Sequence, residues 1–371
     1  MSQPVTPPPG AMENSARPLR RIDESRLIEI RSEAERLGRV QGAGIQPAGA
    51  PFPKASPATG YYCIPMLKEP QWNWAIPLYF FIGGAAGSAG VIGTMADWVG
   101  DNYELARKAR LLAFGGGALS GALLVYDLGR PGRFLNMLRV FKPQSPMSMG
   151  AWCLSAFSSA SAAAAFADLV AERWNGLPVR VLGGIGKLGS ALFGMPFSNY
   201  TGVLIGATAM PVWNHSIDTL PIHFGMSGLQ SSVSLLELWG FERSTALNLL
   251  GMGAAAFETW EGFHIETDPH RSLKPLKTGV SGWITRAGGA LSGPVALGLR
   301  LSAAVSGDRK MRRAAAYAGI AGSLLTRYGW MRAGHASAQD WRLPLDIPED
   351  SAVVPELQSK PKKPQAKAIR D

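Results

Sequence analysis

Apolar and polar positions segregate along this chain on a long scale. Between Trp74 and Trp330, runs of about 20 residues with few or no charges recur, separated by short clusters of Lys, Arg, Asp and Glu. A run of that length is what a helix needs to cross about 30 Å of hydrocarbon. The pattern places spans near 74–98, 111–128, 149–170, 200–213, 220–240 and 244–263, with two weaker ones near 284–305 and 313–330. The span at 200–213 is short unless it starts back near Leu192, and Pro196 and Pro211 sit close to its ends. The expectation is an all-α integral membrane protein of about eight transmembrane helices with a polar N-terminal tail.

The pattern also divides the chain. Residues 1–73 form a polar tail, rich in Pro and Ser at first, with an amphipathic helix expected over 22–37 and a Gly/Pro/Ala tether over 41–60. That helix suits either a solvated surface or a clamp on a partner. Residues 74–240 hold the first bundle and the start of the second, 241–331 the remaining spans, and 332–371 a polar C-terminal tail. In the first span Gly83, Gly84, Gly87, Gly90 and Gly93 make a face of small residues, the kind that lets helices approach closely inside a membrane.

Charge changes the picture less than its size suggests. The chain of 371 residues carries a formal net charge of +10. Its cations cluster at the ends of apolar runs, which points to membrane anchoring and lipid headgroups and away from nucleic acid. The mean hydropathy of +0.04 averages an apolar middle with polar tails. The two cysteines, Cys63 and Cys153, form no CxxC pattern, so neither a disulfide framework nor an iron–sulfur cluster within the chain is expected. The N-terminus has no basic-then-apolar leader pattern, so the tail is expected in the mature protein.

An even number of spans puts both tails on one face. The loop at 127–152, the turn at 213–218, the segment after the sixth span and all five histidines fall on that face or just outside it. Loop charges taken alone place the opposite face in the cytoplasm, whereas the long tail without an export signal favours the cytoplasm for the face bearing the tails. The loop itself carries Arg130, Arg133, Arg139 and Lys142 with Pro131, Pro143 and Pro146. It reads as either a stop signal or a docking surface.

Three stretches carry a resemblance. They are Leu128-Gly-Arg-Pro-Gly-Arg-Phe-Leu-Asn-Met-Leu-Arg139 with Ser145-Pro-Met-Ser-Met-Gly-Ala-Trp152, then Trp74-Ala-Ile-Pro-Leu-Tyr79 with Gly83, Gly84 and Gly87, and finally Tyr200-Thr-Gly-Val-Leu204 with Pro211, Trp213, Asn214 and Leu220-Pro221. In order and spacing they resemble the NrfD/polysulfide-reductase membrane-subunit family over about residues 72–236. The resemblance implies two four-helix bundles in a bacterial cytoplasmic membrane and no haem or iron–sulfur cluster in this chain. It also implies exchange of electrons between a membrane quinone, menaquinone or ubiquinone, and a docked ferredoxin-like iron–sulfur subunit. That partner in turn serves a molybdenum or tungsten pterin catalytic subunit.

A quinone slot needs apolar walls, hydrogen-bonding groups for two oxygens and a route for protons. The ends of the spans on the tail-bearing face offer Trp72, Asn73, Tyr79, Tyr126, Asp127, Arg130, Trp213, Asn214 and His215. Asp127 and His215 are the candidates for proton exchange, and Asn73 and Asn214 for hydrogen bonding to the ring, with the aromatics as walls and Arg130 at the rim. Against this, Asp127 has the spacing to pair with Arg130, and His215 is placed to cap its span. Arg130, Arg133, Arg139 and Lys142 are the docking candidates. Glu237, Glu258 and Glu261 are candidates for a proton path through the second bundle, each expected near a span end within reach of headgroup water. A haem-b cytochrome anchor, a transporter and a purely structural anchor are the rival readings. The single Glu261-x-x-His264 pair lacks the second copy that a di-iron site requires.

Overall fold

The computed structural model describes residues 67–129, 131–340 and 342–345, together with positions 32, 33, 36, 40, 41, 44 and 45. The earlier positions belong to a separate compact unit, Met1–Ser56. There Ser32, Glu33 and Arg36 are helical and exposed, and the rest of the expected helix at 22–37 lies outside the described residues. Strands β1 (Val40–Gln41) and β2 (Gly44–Ile45) pair antiparallel, so the start of the expected tether at 41–60 is a small strand pair.

In the second unit the apolar runs fold as helices. Helices α1 (Ala75–Trp98), α2 (Tyr103–Asp127) and α3 (Pro146–Ala171) are each long and apolar enough to cross a membrane. An eight-residue 3-10 helix, Pro131–Leu138, occupies the loop between α2 and α3. Then come α4 (Leu177–Gly206), the short α5 (Pro211–His215) and α6 (Leu220–Leu236), which runs on through a π turn at Glu237–Phe241. They are followed by α7 (Thr245–Thr267), the short α8 (Lys274–Lys277), α9 (Gly279–Ala290), a second π turn at Leu291–Val295, α10 (Ala296–Ser306) and α11 (Arg309–Gln339).

Polar caps fix where several helices begin. The Asn102 side chain accepts the Leu105 N–H at the start of α2, Ser145 accepts from Ser148 ahead of Pro146 in α3, Ser244 accepts from Leu247 in α7, and Asp308 accepts from Lys310 in α11. Each satisfies one of the free N–H groups that a helix start leaves over.

Helix α1 is the hub. Its apolar window is 78% buried, against 28% for α2 and 33% for α3, and it packs on α2, α4 and α6. The small-residue face makes this possible. A Cβ on Gly87 would stand 2.4 Å from the Gly194 carbonyl oxygen of α4, and one on Gly228 of α6 would stand 2.8 Å from the Gly84 backbone. In lipid there is little hydrophobic drive between helices, so such backbone contact supplies the van der Waals attraction. Helix α11 packs on α6, α9 and α10, and α7 on α6.

Three spans depart from the sequence pattern. The fourth helix is not the short run at 200–213. It begins at Leu177, passes through Pro196 and stops at Gly206, and Trp213 belongs to the separate α5. Glycines dilute hydropathy over 183–194, while Leu182, Ile185 and Leu192 face outward from the protein. Pro196 withholds the N–H that would pair with the Leu192 carbonyl, and just beyond it the Ser198 hydroxyl and Asn199 side-chain amide both donate to the Met195 carbonyl. The penultimate helical rod runs over 279–306 and is broken at Gly293 (φ −91°, ψ −106°) beside Pro294, and the last rod extends to Gln339.

Candidate functional site

Tryptophans join the ends of three helices at one point of the fold. Trp72, just before α1, stacks on Trp213 of α5 with ring centroids 5.6 Å apart and planes 19° apart. Trp213 is fully buried, and its indole N–H donates to the Trp330 carbonyl of α11 at 2.8 Å. Helix α11 makes room for that ring with Gly334, where a Cβ would lie 1.8 Å from the indole. The Trp330 indole N–H in turn donates to His223 Nε2 of α6 at 3.3 Å. With Nε2 accepting, a neutral His223 carries its proton on Nδ1, which sits 3.7 Å from Glu258 Oε1 of α7.

Around this line the sequence-predicted residues fall into two groups. The first gathers on α1 and α2. The Asn73 backbone N–H hydrogen-bonds the Asp127 carboxylate, the Asn73 side chain accepts the Ala75 N–H at 2.8 Å, and Tyr126 leans on Trp74 with centroids 6.0 Å apart. Tyr79, one turn further in, is buried against Phe80 and Phe197. The second group gathers on α5 and the segment after α7. His215 stacks on His270 at 3.9 Å and reaches Asp268 at 3.4 Å, while the Asn214 side-chain amide donates to the Gly206 carbonyl at 3.4 Å. The backbone N–H of His270 holds the Asp268 carboxyl below the usual carboxylate range. Trp72 and Trp213 tie the two groups together, and among the described residues no contact joins Asp127 to His215.

Arg133, Arg139 and Lys142 are exposed on the loop, with the Lys142 backbone N–H bonded to Ser148. Arg130, and with it the expected pairing to Asp127, lies outside the described residues.

The three glutamates are not open to water. Glu237, Glu258 and Glu261 are 0%, 1% and 1% exposed, because neighbouring helices cover the faces that the sequence left open to water. They belong to a polar line that sequence reasoning missed. On α6 the residues His223, Ser227, Gln230, Ser231, Ser234 and Glu237 are all buried on one face. Their three- and four-residue spacing is that of a helix stripe about 21 Å long. Partners come from α7, α10 and α11. Ser292, in the broken rod, donates to Glu258 at 3.0 Å, and the Arg327 guanidinium donates to the Phe224 carbonyl and lies 4.1 Å over its ring. Arg300 and Arg312 both donate to Glu237 Oε1, at 2.8 and 2.9 Å. Along the stripe, His223 Nδ1, Glu258 Oε1, both Gln230 side-chain atoms and Glu237 Oε2 have no hydrogen-bond partner among the described residues. A run of such atoms at this depth is where bound water finds polar partners.

A second buried charge cluster sits between α1, α2, α3 and α4. Arg110 is 1% exposed, bonded to Asp168 at 2.5 Å and 3.6 Å from Asp97, which Lys187 meets at 2.7 Å. In the sequence Arg110, Lys187 and Arg312 stand among the cations at the ends of apolar runs. The helical offset from apolar neighbours was the only sign that they turn inward.

Polar groups this deep in a bundle are costly unless they serve each other or a ligand. The arrangement offers an aromatic end with a carboxylate and an imidazole nearby, and a buried chain of exchangeable protons leading from it. Residues 64–246 match the family described as polysulphide reductase, NrfD. No curated protein matches the chain.

Proposed function

Because the chain belongs, through residues 64–246, to the NrfD family, whose members are multi-pass membrane subunits of oxidoreductase complexes, we propose that it is the quinone-reactive anchor of such a complex. In this reading its helical rods make eight crossings arranged as two four-helix bundles, and a quinone headgroup sits at the Trp72/Trp213 end. Asp127 and His215 exchange protons with water there, Asn73 and Asn214 orient the ring oxygens, and Tyr79, Tyr126 and Trp213 are the walls. Arg130 completes the rim of that pocket.

Oxidation of one quinol releases two electrons and two protons. The electrons pass to an iron–sulfur subunit docked over the exposed Arg133, Arg139 and Lys142, with Arg130 in the same loop, and on to a pterin-dependent catalytic subunit. The protons leave by groups of this chain, and reduction runs the same steps backward. The single observation carrying the reading is the contact line Trp72–Trp213–Trp330–His223–Glu258, which connects the aromatic end to a buried carboxylate in a chain of this family. Glu258 and Glu261, both buried on α7, would relay protons along the α6 stripe toward Glu237.

The test is quinone reduction by the purified complex. The proposal expects activity sensitive to quinone-site inhibitors and strongly reduced by Asp127→Asn or His215→Ala. Full, inhibitor-insensitive activity in both variants would overturn it. Fusing a reporter active on only one side of the membrane to the C-terminus fixes which face the tails occupy. The reading places it in the bacterial cytoplasmic membrane with both tails inside.

A further inference from the structure

In the C-terminal half, α7, α9 and α11 part around a cavity of about 330 Å³. At the break Gly293 packs against α7, where a Cβ would lie 3.0 Å from the Thr259 backbone nitrogen, and Ser292 beside it donates to Glu258. Phe263, Ile265, Pro294 and Trp330 supply apolar walls, and His223 and Glu258 form the floor. Phe263 is 70% exposed at the outer edge, so the cavity opens sideways toward lipid. At the rim Arg286 makes a two-pronged bond to Glu266, at 2.6 and 2.9 Å.

The floor is chemically specific. His223 Nδ1 and Glu258 Oε1 lie on side chains 4% and 1% exposed, and neither atom has a hydrogen-bond partner among the described residues. With Nε2 taken by Trp330, the floor presents one N–H donor beside one carboxyl group. The threonine hydroxyls around the cavity already donate to their own helices, Thr259 to Ala255 and Thr326 to Gly322. An acyl chain has no use for such a floor, and an anionic headgroup would meet the glutamate in an apolar slot. A flat ring bearing carbonyl or hydroxyl oxygens fits both the volume and the pairing of donor and acceptor.

The walls also hold space that packing does not need. Gly262 of α7 and Gly289 of α9 line the cavity, and a Cβ on either would meet nothing within 4 Å. These two positions therefore accept larger side chains without displacing backbone, and such side chains would fill the cavity.

We propose that this cavity is a second site for a quinone or quinol headgroup, distinct from the one at the Trp72/Trp213 end and entered from the lipid beside α7 and α9. Trp330 is common to both, walling this cavity while its carbonyl holds Trp213. The site stands on its own geometry and does not require the first to be occupied.

The experiment is photolabelling of the whole complex in lipid nanodiscs with an azido-substituted naphthoquinone, followed by peptide mapping. The expected result is label on the α7 segment around Gly262 and the α9 segment around Gly289, suppressed by excess unlabelled quinone. Gly262→Leu and Gly289→Leu, on different helices, should each remove that label and leave label near Trp72 and Tyr126 unchanged. Absence of label at both segments, label that excess quinone does not suppress, or label persisting in both variants would overturn the proposal. So would labelling there by a fatty-acyl photoprobe alone. Failure of the first site shows separately, as missing label near Trp72 with the α7 and α9 label intact.

Discussion

Neutralising Glu237 discriminates sharply between a charge held by its neighbours and one bathed in water. Its carboxylate is completely buried and both Arg300 and Arg312 donate to the same oxygen, at 2.8 and 2.9 Å. Arg300 is itself fully buried in a slot left by Gly251, where a Cβ would lie 2.3 Å from the guanidinium carbon. At an effective dielectric near 20, opposite charges about 4 Å apart attract by about 4 kcal/mol. Desolvation consumes most of that, but removing one member leaves the others buried and uncompensated, at a cost of about 3–5 kcal/mol. Glu237→Gln should therefore destabilise the chain by about that amount in reversible unfolding in mixed micelles. Replacing the whole group, with Glu237→Leu, Arg300→Met and Arg312→Met together, should recover most of the loss, since buried ion groups exchange for apolar packing at little cost. Glu172→Gln, which breaks the half-exposed pair with Arg107, should cost about 1 kcal/mol or less. A Glu237→Gln effect no larger than that of Glu172→Gln, or a triple variant worse than the single one, would refute the reasoning.

The remaining predictions concern the aromatic end and the relay. Gly334→Val should expel the Trp213 ring from its slot, costing about 1–3 kcal/mol as overpacking does, with the shift read from tryptophan fluorescence and quinone reduction falling alongside. Trp330→Phe keeps the backbone carbonyl that accepts from Trp213 but removes the donor to His223. It should cost about 1–3 kcal/mol for the stranded acceptor and alter the pH profile of quinone turnover more than its KM. Asp268, held below its ordinary range by the His270 N–H, stabilises the folded state fully above its unfolded value of about 3.9. That contribution is lost as the pH falls through the lower folded value, so the Tm gap between wild type and Asp268→Asn should be constant at neutral pH and close only in strong acid.

How much of this was legible in the sequence differs by element. Helices α1, α2 and α3 were readable because their apolar runs are uninterrupted, and α1's glycine face announced close packing that Gly84 and Gly87 deliver. The fourth rod was misread because its glycines depress hydropathy while Leu182, Ile185 and Leu192 still cover the outside. Trp72, Asn73, Tyr126 and Asp127 do meet at one place, with Trp213 beside them. What no one-dimensional pattern gives is which side of a charged helix end turns inward. Arg110, Arg300, Arg312 and Arg327 look like anchoring cations until neighbouring helices close over them. The stripe from His223 to Glu237 was in principle visible as polar positions at helical spacing inside an apolar run, and its serines hid it because serine is common in such runs.

Single-turnover electron transfer tests the central claim most directly. The oxidised complex is mixed rapidly with a soluble quinol analogue, and bleaching of the iron–sulfur partner's absorbance is followed. The account predicts prompt, inhibitor-sensitive bleaching in the wild type, slowed by about 10²-fold or more in Asp127→Asn, as loss of a proton-transfer group implies, and unchanged in Arg107→Gln, which alters only the half-exposed pair with Glu172. Bleaching equally fast in Asp127→Asn, or none in the wild type, would contradict it.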